Sequence, residues 1–133
     1  MSNPLTKGEV RFTVEGTEHV LRPTMAAFSQ INHRYDDYAD LIRKITRNDV
    51  SAIAFVLRQG LGYSDKEAKT LPSLIMKAGV SALIEPTTDF VFRMFNAGKS
   101  PDEVMKEETA KLAAEAEGAE GAGKDAADPL LGA

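Results

Sequence analysis

The 133-residue chain contains no cysteine. Disulfides and thiolate metal sites are therefore excluded, which fits a reducing compartment. Histidine is scarce too. His19 and His33 are the two copies, and they form neither HExxH nor an i, i+4 pair of zinc ligands. No apolar run approaches the roughly 20 residues needed to span a bilayer. The stretch from Met1 to Gly8 has no apolar signal core. The expected setting is the bacterial cytoplasm, with no membrane partner.

The motifs of common catalysts are missing as well. Gly60-Leu61-Gly62 does not extend to GxGxxG, and it follows a helical pattern where that motif needs a strand. There is no P-loop, and no serine sits in a nucleophile elbow. The residues suggest a binding or assembly protein, not an enzyme, with no catalytic residues, no metal and no cofactor.

What remains is ordinary for a folded domain: 43% hydrophobic and 27% charged residues, enough to build one core. The net charge of -4 is unevenly spread. Residues 1–98 carry 12 basic and 11 acidic side chains, while residues 99–133 carry 4 and 9. A near-neutral body with an acidic end is a poor match to nucleic acid, whose phosphates call for Lys and Arg. Acidic ends more often serve solubility or a protein partner.

Along the chain, residues 1–7 read as a flexible leader. Val10, Phe12 and Val14 then alternate with Glu9, Arg11, Thr13 and Glu15, the period of a half-buried strand. Glu15-Gly16-Thr17 supplies a turn, His19 to Arg22 the return strand, and Pro23 ends the pairing. The period then becomes helical. Thr24 is a candidate N-cap for a helix with Met25, Phe28, Ile31 and Tyr35 on one face. Asp36 or Asp37 caps a second helix with Tyr38, Leu41, Ile42 and Ile45. Asn48 or Asp49 starts a third, carrying Val50, Ile53, Ala54 and Leu57, which is expected to stop at Gly60. Ser64 and Glu67 form a capping box. Pro72 either kinks that segment or opens a new helix, which Gly79 breaks. Val80 to Ile84 reads as a short piece ending before Pro86. Thr87-Thr88-Asp89 then caps a helix with Phe90, Val91, Met94 and Phe95 on its stripe.

Ser100-Pro101-Asp102-Glu103 is a second capping-box pattern. It opens a helix expected to run to about residue 117, rich in Ala, Glu, Lys and Leu. Its large apolar residues are only Val104, Met105 and Leu112, so it gains little by packing on the body. Residues 118–133 are dominated by Gly and Ala and are expected to be disordered. The reading is mainly α with a small N-terminal β-hairpin (α+β), a compact multi-helix domain. It comprises the leader, a hairpin-plus-helix core over 8–98, a polar helix over 99–117 and a Gly/Ala/acidic tail over 118–133.

The remaining polar clusters have plain readings. Asp36, Asp37 and Asp40 lack the calcium-loop pattern and read as caps and a solvated face. Arg43, Lys44 and Arg47 lie beside Asp40 and Asp49 and read as helix surface. Most aromatics read as core. Phe92 and Phe55 fall partly off their helix stripes, and with Val104, Met105 and Leu112 they are the candidate partner-binding residues.

The order of these parts resembles a known family. A hairpin of the form Gly-Glu-Val-x-Phe-x-Val-x-Gly ends in Leu21-Arg22-Pro23-Thr24 and runs straight into a helix. Ile53-Ala54-Phe55-Val56-Leu57-Arg58-Gln59-Gly60-Leu61 follows, then Lys77-Ala78-Gly79 and Asn96-Ala97-Gly98. Over about residues 8–98 this is similar to the small tail proteins of gene transfer agents and siphophages, the tail-assembly-chaperone group. It departs from that pattern at Phe28 to Arg34, where the group would lead one to expect a Leu/Glu-rich segment, and in its extension beyond Lys99. The resemblance implies a phage or prophage tail-assembly chaperone. It would bind the tape-measure protein and the tail-tube protein during virion assembly and self-associate weakly. The alternatives are a structural tail component, such as a tube or connector subunit, and a small regulator that binds nucleic acid.

Overall fold

The computed structural model describes residues 7–122, with side chains described as far as residue 116. The leader, apart from Lys7, lies outside the described residues, as does the tail beyond Ala122. The chain is mainly helical with a two-stranded antiparallel N-terminal hairpin. It divides into two compact units between Ser100 and Pro101.

In the first unit, β1 (Val10–Val14) pairs with β2 (Thr17–Leu21), with Val10 opposite Leu21 and Val14 opposite Thr17. The two loop residues, Glu15 and Gly16, both take positive φ (49° and 83°). That turn matches the right-handed twist of the strands. The alternation places Val10, Val14 and Leu21 in the core. Phe12 lies on the same face, stacked on His19 directly across the ladder.

Four helix starts use side-chain caps. Thr24 Oγ1 accepts from Ala27 N (3.0 Å) at α1 (Met25–Arg34). Of the two candidate aspartates, Asp37 caps α2 (Tyr38–Thr46), accepting from Ala39 N at 2.9 Å. Asp49, not Asn48, caps α3 (Val50–Leu61) through Ala52 N at 3.1 Å. Ser64 and Glu67 close a full capping box on the short α4 (Asp65–Ala68). Each such cap contributes about 1 kcal/mol. Pro72 stands in the first turn of α5 (Leu71–Ala78), so it opens a helix.

Three local expectations are corrected. Gly60 does not end α3, which runs on to Leu61 and is capped by left-handed Gly62 (φ 71°). Gly60 is instead a contact point, where a Cβ would stand 2.8 Å from Leu21 Cδ2 and 3.0 Å from Phe90 Cε2. Next, the two short helices expected around Pro86 are one, α6 (Val80–Phe95), with the proline inside. Leu83, Thr87, Phe90 and Val91 are all buried. One continuous buried stripe across the proline offsets its missing N–H. Asp89 therefore does not cap; it pairs with Arg93 at 2.9 Å, one turn on. Finally, the buried face of α1 is Ala27 and Ile31, while Met25 is 78% exposed.

Helices α3 and α6 form the centre of this unit. The first packs on α1, α2, α5 and β2, the second on α2, α5 and β1, and they pack on each other. Leu21, Ile31, Leu41, Ile45, Ile53, Leu57, Leu83 and Phe90 are fully enclosed. Burying each such side chain contributes about 1.5–3 kcal/mol. A backbone bond from Arg22 N to Gly60 O (2.8 Å) ties the end of the hairpin to α3.

The second unit contains α7 (Pro101–Ala122). It is 22 residues long and extends beyond the expected end near residue 117, so residues 118–122 are helical. The Ala and Glu content of the segment favours helix strongly enough to carry two glycines, each costing about 1 kcal/mol against Ala.

Candidate functional site

Among the described residues no group of His, Asp and Glu is placed to hold a metal ion. The sequence clusters are spent on structure. Asp37 caps α2, and Asp40 pairs with Arg43 (3.0 Å) and Lys44 (3.6 Å). His19 is held against the Phe12 ring, with centroids 5.3 Å apart. His33 lies exposed near the end of α1. No helix among the described residues is long and apolar enough to cross a membrane.

Surfaces therefore offer more than chemistry does. One is an open groove of about 600 Å³ between the hairpin turn and the α4–α5 segment. Val14, Tyr63 and Leu74 are the apolar part of its lining, and Glu15, Lys69 and Lys77 are the charged part. Lys66, Lys69 and Lys77 make no ion pair among the described residues. By contrast, Arg11, Arg22, Arg43, Arg58 and Arg93 each pair with a carboxylate. A second, smaller groove of about 360 Å³ lies beside Met25, Phe28 and Met94.

The candidate partner residues fall in different places. Phe55 is half-buried on α3 and packs against the core. Its ring meets Tyr35 edge-on at 5.9 Å, and the Arg34 guanidinium lies over it at 4.7 Å. This is a cation–π contact, worth about 0.5–1 kcal/mol where exposed. Phe92 is half-buried on α6, and its carbonyl accepts from Asn96 Nδ2 at 2.7 Å. A separate aromatic group joins Phe28 and Tyr38 to Phe95, at 5.3 and 5.0 Å. Burial beside these rings pushes the Tyr38 hydroxyl above its ordinary pKa.

On α7, Val104 is half-buried while Met105 and Leu112 are 69% and 66% exposed. Met105, Thr109, Leu112 and Ala116 are spaced by four, three and four residues. That spacing gives one narrow seam along a helix. Glu108 and Glu115 each follow an apolar residue of the seam by three positions, so the Met/Glu pair recurs as Leu/Glu seven residues later.

The groove beside the hairpin was not legible in the sequence. Its walls come from residues 14–19 and 63–77, which no local pattern joins. The one available signal was the run of lysines at 66, 69 and 77 without acidic residues at helical spacing to absorb all of them. No family model matches the chain, and no curated protein or solved structure matches it.

Proposed function

We propose that this chain is a tail-assembly chaperone of a phage-like particle, a non-enzymatic protein of the bacterial cytoplasm that binds tape-measure and tail-tube proteins. The observation that carries the reading is α7. It is a long helix whose apolar seam, Met105 and Leu112, stays exposed beside acidic residues. Two exposed apolar residues one above the other on a helix can seat in a groove on an elongated partner. Its acidic surface opposes aggregation of the complex.

Co-expression with the tape-measure and tail-tube proteins of the same locus tests this. A soluble complex is expected, and Met105→Asp/Leu112→Asp is expected to weaken it. If neither protein co-purifies with the unmodified chain, the reading is wrong.

A structural tail component is the second reading. It draws support from the hairpin, whose two strands pair only with each other and leave both outer edges without a ladder partner among the described residues. Such edges can join copies into a continuous sheet. Finished particles discriminate the two: a structural subunit remains in them and a chaperone does not. A nucleic-acid regulator has less behind it, since Arg43 and Lys44 are both engaged by Asp40.

A further inference from the structure

We propose that the lysine-bordered groove beside the hairpin receives α7 of a second copy of this chain. The proposal goes beyond the tail-assembly reading and does not depend on it.

Opposite charge and apolar residues on both surfaces point to it. The groove is open, with apolar Val14, Tyr63 and Leu74 in its lining. It can accept one or two large side chains from a helix laid across it. Lys69 and Lys77 border it, Lys66 lies on the preceding turn of helix, and none of the three has an ion-pair partner among the described residues. Glu15 lines the groove too, so its lining carries two lysines against one glutamate, a net positive charge in a body whose other cations are mostly paired.

The complementary surface is on α7. Met105 with Glu108, then Leu112 with Glu115, present the same apolar-plus-acidic pair twice, about 10.5 Å apart along the axis at 1.5 Å per residue. Glu108 and Glu115 also make no ion pair among the described residues. Apolar residues would enter the groove while the glutamates meet Lys69 and Lys77.

The same charges disfavour the obvious alternative, α7 pairing with α7. The glutamates flank the seam, so two such helices would set like charges side by side. A contact from one copy's helix to the next copy's groove is heterologous, and such contacts build chains or rings of copies.

Sedimentation velocity of the full chain, over a concentration series at low and high salt, tests the proposal. The unmodified chain is expected to associate with rising concentration and to dissociate with salt. Lys69→Glu/Lys77→Glu reverses the groove, and Glu108→Lys/Glu115→Lys reverses the helix. All four residues are exposed, so circular dichroism of each variant should match the parent. Each reversal is expected to weaken association about tenfold or more, equivalent to about 1.4 kcal/mol. An equimolar mixture of the two variants should associate again, because each groove then meets a helix of opposite charge.

A monomer at every concentration overturns the proposal. So do oligomers that both reversals leave intact, or variants that fail to recover on mixing. Helix-to-groove cross-links formed only within single chains would also overturn it. Because no client is present, the outcome is independent of whether tail proteins bind.

Discussion

Leu21 lies against the bare Cα of Gly60. A Cβ at position 60 would stand 2.8 Å from Leu21 Cδ2 and 3.1 Å from Leu21 Cβ. Here the hairpin, α3 and α6 meet, because Phe90 closes the same point from the other side. Helix propensity alone favours alanine over glycine within a helix by about 1 kcal/mol. Packing reverses the sign. Gly60→Ala is expected to destabilise the protein by about 1–3 kcal/mol, the usual cost of overfilling a core. Urea unfolding measures it. Leu21→Val on that background should cost less than it does alone, since the two sites share a contact. A stabilised Gly60→Ala would mean that Leu21 and Phe90 can move aside for the added methyl group.

Thr87 is fully buried on α6, and its hydroxyl has no hydrogen-bond partner among the described residues. An unsatisfied buried hydroxyl costs about 1–3 kcal/mol. Thr87→Val keeps the shape and removes the polar atom. It is expected to raise stability by about 1 kcal/mol, seen as a higher denaturation midpoint at unchanged slope. A loss of stability would reveal a partner for the hydroxyl.

The neighbouring aspartates 36 and 37 separate a cap from a bystander. Asp37 accepts two backbone N–H groups at the start of α2, from Ala39 and Asp40. Asp37→Ala is expected to cost about 1 kcal/mol. Asp36→Ala should remain within about 0.5 kcal/mol, as surface substitutions usually do. Equal effects would place the cap elsewhere.

Tyr38 supplies a pH dependence. Burial raises its hydroxyl pKa above the ordinary value of 10.0. The folded state therefore favours the neutral phenol more than the unfolded chain does. That contribution is fully present below the unfolded pKa and is lost as pH rises through the folded one. Tyr38→Phe should remove an ionisation lying above 10.0 from the alkaline titration and lessen the alkaline fall in stability. An alkaline limb unchanged in Tyr38→Phe would contradict this.

Local signals were legible in the sequence where neighbouring residues decide the outcome. Alternation at Val10, Phe12 and Val14 and the Gly16 turn specify the hairpin. Thr24, Asp49 and the Ser64/Glu67 pair specify caps by reaching three residues along the chain. Residues whose role depends on distant partners were not legible. Gly60 resembles a helix stop until Leu21 is seen against it. Pro86 resembles a boundary until the buried stripe on both sides of it is known. Met25 keeps the helical spacing of its neighbours, yet the buried face of α1 is set by what α3 presents. The groove failed to appear for the same reason, since its two walls are joined only by folding.

The aromatic residues have an optical consequence. The chain has no tryptophan, and its three tyrosines, Tyr35, Tyr38 and Tyr63, are all half-buried in the first unit. No aromatic residue follows Phe95. Ultraviolet emission and near-ultraviolet dichroism thus register the helical body alone, whereas far-ultraviolet dichroism also counts the 22 residues of α7. Melting recorded in the two spectral windows resolves the units without any label. A helicity loss that precedes the tyrosine transition is α7 unwinding while the body remains folded.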